Sequence, residues 1–190
     1  MNKIVLASSS PRRKEMLRRF NIEPIVVSSN VSEIINEGEN PFQIVMSLSF
    51  KKVLSVIKDY PDSIVIGADT IVVYDSKILG KPKDTKMAYE MLSMLSGSVH
   101  DVITGVCLIK GDTKIIDYEL TKVKFRELNK KRINAYISTG EPLDKAGAYG
   151  IQGKGAILVE KIDGCYSNVV GLPLSKIDKL LSKYFNFNIL

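Results

Sequence analysis

An α/β fold, a mixed β-sheet with flanking helices, is what this sequence predicts, on three observations. Short apolar, β-branched runs alternate with helix-period segments along the whole chain. The turn signal Gly111-Asp112 joins two long strand-like segments directly, so an antiparallel pair sits beside the strand–helix crossovers. No Ser/Gly linker, repeat or low-complexity tract divides the 190 residues, which suffice for one domain with a substantial core or for two small lobes on a shared sheet.

The elements follow in order. Ile4 to Ala7 reads as a short buried strand. Pro11 to Phe20 reads as a helix with Ser10 as cap and Pro11 at the first helical position. Pro24 to Ser28 is a second strand, and Asn40-Pro41 opens a long helix to about Lys58. Ser63 to Tyr74 is an almost unbroken apolar run, too long for one typical strand, and is expected to be a strand pair. Asp84 caps a helix to about Leu95, with Gly97 just past its end. Val99 to Lys110 and Lys114 to Phe125 are strands, Asn129 to Thr139 a helix closed by Gly140. A glycine-rich stretch runs from Gly140 to Gly155, followed by a strand over Ile157 to Ile162 and an amphipathic helix over Leu174 to Phe185.

Composition narrows the class of protein. No apolar stretch approaches the ~20 residues of a spanning helix, so no membrane association is expected. The apolar run near the amino end is four residues long before Ser8-Ser9-Ser10-Pro11, which argues against a signal peptide. Cys107 and Cys165 lack paired or metal-type spacing and read as reduced thiols of a cytoplasmic protein. The single histidine, His100, cannot build a histidine cluster, so any metal is a hard, oxygen-ligated ion. A net charge of +6 suits an anionic ligand but equally describes a surface of solvated lysines.

Several residues stand out. Arg12 and Arg13 occupy a first helical turn, against the dipole; an anion in front of that helix would explain them, and so would plain solvation. Asp69 interrupts an apolar strand region, where a carboxylate is tolerated at a strand end facing a cleft, beside a cation or metal, or in a turn that Gly67 permits. In the helix from Pro41, Lys52 falls within the apolar stripe near Val45 and Val56, while Lys51 faces solvent. An inward lysine needs a partner, either a structural carboxylate or a bound phosphate. Lys81, held between Gly80 and Pro82, points at a ligand or into solvent. Glu33 reads on its own as a surface acid. Gln152 lies in the glycine-rich stretch, and its amide can both donate and accept, which suits either a base edge or nearby backbone.

Taken together and in order, Ala-Ser-Ser-Ser-Pro-Arg-Arg at 7–13, Gly-Ala-Asp-Thr at 67–70, Gly-Lys-Pro at 80–82, Leu-Ser-Gly at 95–97, Thr-Gly-Val at 104–106, Glu-Pro-Leu-Asp-Lys-Ala-Gly at 141–147, Tyr-Gly-Ile-Gln-Gly at 149–153 and Asn-Val-Val-Gly-Leu-Pro at 168–173 resemble the Maf-like nucleotide pyrophosphatase family. The resemblance implies a single domain over 1–190, related to the inosine triphosphate pyrophosphatases, with two lobes around a central cleft. It implies a divalent metal, Mg2+ or Mn2+, and usually a homodimer. It matches the family's general base to Asp69 and its substrate-discriminating positions to Arg12, Thr70 and Gln152, where this sequence follows the dTTP/UTP pattern rather than the 7-methyl-GTP one.

The activity so implied is hydrolysis of dTTP and UTP to the monophosphate and pyrophosphate. On this reading Ser8, Arg12, Arg13, Lys52 and Lys81 cradle the phosphates, Asp69 takes a proton from the attacking water, Glu33 helps Asp69 to hold the metal, and Thr70 and Gln152 read the pyrimidine. Two other readings are the same reaction on 7-methyl-GTP or a non-standard purine triphosphate, and a non-catalytic nucleic-acid-binding regulator of cell division. Against nucleic acid as partner, the sequence has neither an aromatic-rich strand platform nor a recognition helix with clustered basic residues.

Overall fold

The computed structural model describes residues 3–29, 31–32 and 39–190. Among them the elements run β1 (Ile4–Ala7), α1 (Pro11–Arg18), β2 (Ile25–Val27), α2 (Pro41–Leu54), β3 (Ile64–Tyr74), β4 (Lys77–Leu79), α3 (Thr85–Leu95), β5 (Val99–Lys110), β6 (Thr113–Phe125), α4 (Lys130–Ile137), β7 (Val159–Asp163), α5 (Tyr166–Val170) and α6 (Leu174–Phe185). The strands form a seven-stranded mixed sheet in the order β2-β1-β3-β5-β6-β7, with β4 paired to β3. β1 is parallel to both β2 and β3, whereas β4 on β3 and β7 on β6 are antiparallel. The expected α/β class is therefore what the chain adopts. No helix of the described residues is long and apolar enough to cross a membrane.

Local chemistry sets most boundaries. Asn40, Asp84 and Asn129 sit at N-cap positions, and each side chain accepts a backbone N–H from the first turn it opens. Ser10 holds the N-cap position of α1 without a capping bond from its hydroxyl. Gly140 takes φ 76° after α4, the left-handed conformation in which a side chain is strained.

Several expected boundaries differ, three of them by a different kind of element. Ser63 to Tyr74 is not a strand pair: β3 is one strand of 11 residues from Ile64 to Tyr74, because buried packing along most of its length overrides the usual strand-length limit. α2 ends at Leu54, and a separate 3-10 turn covers Ile57–Asp59. The last strand starts at Val159, since Gly153–Leu158 forms a 3-10 helix instead.

The chain divides into two compact units. The first comprises Met1–Asp69, Thr104–Glu119 and Gly171–Leu190, the second Thr70–Ile103 and Leu120–Val170. In the first, α2 covers one face of the sheet. Val5 and Ala7 of β1, Val65 of β3, and Cys107 and Ile109 of β5 are buried there with Val53 and Val56. Each strand contributes alternate residues to that face, as the two-residue period requires. Two glycines on it let the helix backbone come close. A Cβ on Gly67 would lie 2.7 Å from the Ser49 carbonyl oxygen, and one on Gly105 would lie 2.2 Å from that of Val45. Burial lifts the Cys107 thiol to about 12, so it is inert.

The second unit has its own core. Val72, Leu92, Leu95, Phe125, Ile133 and Leu158 are among its buried members. His100 is buried there, 2.8 Å from the Tyr149 hydroxyl and edge-on to the Phe125 and Tyr149 rings. Desolvation lowers its pKa to about 4, with a small opposing pull from Asp101.

Two stability predictions follow from this packing. Gly105→Ala should cost about 1–3 kcal/mol or more in urea unfolding, because the contact is with backbone that cannot rotate away. His100 has a folded pKa below its unfolded one, so its contribution is full above about 6.5 and is lost as pH falls towards about 4. His100→Gln should flatten stability across that window, removing a drop on the order of 3 kcal/mol. Parallel unfolding curves for the two proteins would refute this.

Candidate active site

Strand period and helix stripe together place the central pair. Gly67 and Asp69 are two residues apart on β3 and so share a face, the face that α2 covers. Gly67 lies under Ser49 and Val53, which brings the neighbouring Lys52 over Asp69. Lys52 Nζ donates to Asp69 Oδ1 at 2.5 Å, with the two side chains 9% and 10% exposed. Lys51 is exposed, as the stripe predicts. Of the two partners left open for Lys52, the structure supplies the carboxylate. Asp69 lies inside a strand rather than in a turn, and its charge is compensated by a cation, which is what makes its burial tolerable.

The β1–α1 junction is the second feature of this unit. Leu6 is level with Ile66 in the parallel β1–β3 register, so the chain leaves β1 beside Gly67, two residues before Asp69. The β1–α1 junction thus lies at the carboxyl end of β1, and Asp69, in the middle of β3, lies two residues past that level. Ser8 Oγ accepts from the Ser10 N–H at 3.2 Å and from Arg13 Nη1 at 3.1 Å. Arg13 Nε also donates to the Gly171 carbonyl at 2.7 Å. Ser8 is buried, whereas Arg12 and Arg13 are half-buried.

The remaining residues belong to the second unit. Thr70 follows Asp69 on β3 and is half-buried. Lys81 is exposed in the loop after β4, a loop tied to the glycine-rich stretch because Gly147 N–H donates to the Gly80 carbonyl at 3.1 Å. Gln152 is half-buried and occupies the N-cap position of the 3-10 helix Gly153–Leu158, with no capping bond from its own side chain. Glu33, expected as a metal ligand, lies outside the described residues. Among the described residues no group of three or more His, Cys, Asp or Glu is placed to hold a metal.

Sequence reasoning gave no role to Glu141. Its Oε1 accepts the Lys154 N–H at 3.1 Å, directly beyond Gln152, and its buried Oε2 has no hydrogen-bond partner. Its place in the motif at 141–147 was the available signal, but the bond spans 13 residues and has no local pattern.

The Lys52–Asp69 pair has a stability consequence that separates it from an ornamental salt bridge. Lys52→Met leaves the buried carboxylate without its cation and should cost about 3–5 kcal/mol in chemical denaturation. Lys52→Met combined with Asp69→Leu should recover most of that loss. If the double variant is no more stable than the single one, the penalty is not that of an uncompensated charge.

The whole chain resembles known proteins. Residues 3–184 match the family model described as Maf-like protein. The chain is 52% identical to a dTTP/UTP pyrophosphatase of Clostridioides difficile, covering 98% of this chain and 97% of that protein. It is 52% identical to a dTTP/UTP pyrophosphatase of Bacillus cytotoxicus over 97% of this chain and 96% of that one, and 50% identical to one of Bacillus cereus over 100% and 98%. A solved structure, that of the Staphylococcus aureus Ham1 protein, aligns with 96% of this chain and 91% of its own at 11% identity and a TM-score of 0.46.

Proposed function

Because the chain belongs to the Maf-like protein family, we propose that it is a nucleoside triphosphate pyrophosphatase that hydrolyses dTTP and UTP to the monophosphate and pyrophosphate. The observation that carries the chemistry is the buried Lys52–Asp69 pair, which lies just past the level at which β1 ends. The substrate is supported by the names of relatives that are half identical over almost their whole length.

Each residue then has a role. Asp69 accepts the proton of the water that attacks the α-phosphate. Lys52, already against Asp69, compensates negative charge where the triphosphate adds more. Arg12 and Arg13 offer guanidinium forks to phosphate oxygens. Ser8 has both lone pairs engaged by Ser10 and Arg13, so its O–H is what it can donate. Lys81 supplies a further cation, and Thr70 and Gln152 contact the pyrimidine.

A divalent cation fits the donor chemistry. Asp69 offers hard carboxylate oxygens, and Mg2+ is commonly held by one or two carboxylates together with substrate phosphates. Asp69 and Glu33 would hold Mg2+ or Mn2+ in that manner, and the ion would neutralise phosphate charge and acidify bound water. The proposal extends to a homodimer working in the cytoplasm, supported by the family resemblance and by two unpaired cysteines respectively.

Two measurements test the function. Turnover of a panel of dTTP, UTP, 7-methyl-GTP and ITP with Mg2+ or Mn2+ should release pyrophosphate, not orthophosphate, and should favour dTTP and UTP. Preference for either purine nucleotide would replace the substrate assignment. Asp69→Asn keeps the shape and removes the base, so kcat on dTTP should fall roughly 10^2- to 10^4-fold. Near wild-type turnover in a folded Asp69→Asn protein would remove Asp69 from its role.

A further inference from the structure

We propose that Glu141 is a positioning residue that holds Gln152 for reading the base, and so sets how strictly the pyrimidine is discriminated. This rests on the reading of Gln152 as a base contact.

The start of the 3-10 helix Gly153–Leu158 needs an acceptor for its first N–H groups. The residue at its N-cap, Gln152, does not provide one from its side chain. Glu141 does so from another segment, accepting the Lys154 N–H through Oε1 at 3.1 Å. The cap is thereby delegated, and the Gln152 amide is not spent on it.

The fit around that bond is close. Gly153 takes φ +68°, and a Cβ there would lie 3.0 Å from Glu141 Oε1, so Gly153 both turns the chain and admits the carboxylate. Upstream, the Gly150 N–H donates to the Tyr136 hydroxyl at 3.1 Å. A Cβ on Gly155 would lie 2.2 Å from the Gly150 carbonyl and 2.7 Å from the Tyr136 hydroxyl. Gln152 thus sits on a short loop clamped on one side by Tyr136 and on the other by Glu141.

Glu141 is itself fixed. Its N–H donates to Thr139 Oγ1 at 3.2 Å, and its carbonyl accepts from Lys145 Nζ at 2.7 Å. Its Oε2 is buried with no hydrogen-bond partner, a desolvation cost that an apolar residue would avoid. Aiming Oε1 at the Lys154 N–H leaves Oε2 in that position. Burial, with Glu141 among the lesser contributors, raises the Tyr136 hydroxyl to about 12, so it stays neutral beside the carboxylate.

The test compares kcat/KM for dTTP and dCTP, which differ at the base edge, in the wild type, Glu141→Ala, Glu141→Gln, Gln152→Ala and the double variant Glu141→Ala/Gln152→Ala. Glu141→Ala should lower the dTTP-over-dCTP ratio about tenfold, through KM for dTTP, with kcat little changed. Glu141→Gln keeps an acceptor oxygen and should retain the ratio. On the Gln152→Ala background, removing Glu141 should change the ratio no further. Additive losses, or an equal fall in kcat on both nucleotides at an unchanged ratio, would overturn the proposal. Should Gln152→Ala itself leave the ratio unchanged, the base contact fails and the Glu141 role with it, an outcome distinct from failure at Glu141 alone. If Glu141→Ala does not fold, Tyr136→Phe, which weakens the other clamp, must shift the ratio in the same direction or the proposal fails.

Discussion

A lysine and an aspartate buried against each other beneath one helix set the terms for the candidate active site of this protein. Removing two charges from water costs several kcal/mol each before their attraction is counted, so the pair persists only in good geometry. That geometry comes from glycine. With Gly67 and Gly105 under α2, helix backbone rests on strand backbone, and Lys52 need only extend along the sheet to reach Asp69. Bulkier residues at those two points would lift the helix and lengthen the reach. Packing that looks purely structural therefore fixes the placement of the candidate base.

The same dependence explains what could be read from sequence. Lys52 was distinguishable from Lys51 because a helical stripe is a local pattern, visible without knowing what the helix covers. The cap at Asp84 was legible for the same reason, since the side chain and the Met87 N–H it accepts are three residues apart. Asp69 was singled out correctly as anomalous, but its setting was not. A run of 11 residues exceeds a typical strand, and Gly67 beside it reads as permission to bend. Gly67 instead admits a helix from elsewhere in the chain, and no local signal separates a glycine kept for a turn from one kept for close approach. Contacts such as Glu141 to Lys154 or Arg13 to Gly171 span 13 and 158 residues and leave no periodic trace.

The arginines at the start of α1 show how one sequence signal can have two physical answers. Guanidinium groups in a first turn oppose the helix dipole, and a bound anion is one compensation. For Arg13 the protein supplies another: the Gly171 carbonyl and the Ser8 hydroxyl each accept from it, at 2.7 Å and 3.1 Å. These bonds tie the loop after β1 to the segment entering α6. A guanidinium has five donors in a rigid fork, and these contacts use two nitrogens of it. Arg13 thereby braces the loop through a planar fork, which a lysine, a flexible point charge, would do less well. The serine it braces has both lone pairs occupied, which directs its hydroxyl to act as donor and matches an anion's need. Anion binding and internal bracing are not competing readings of this junction, because the bracing orients the groups that would bind.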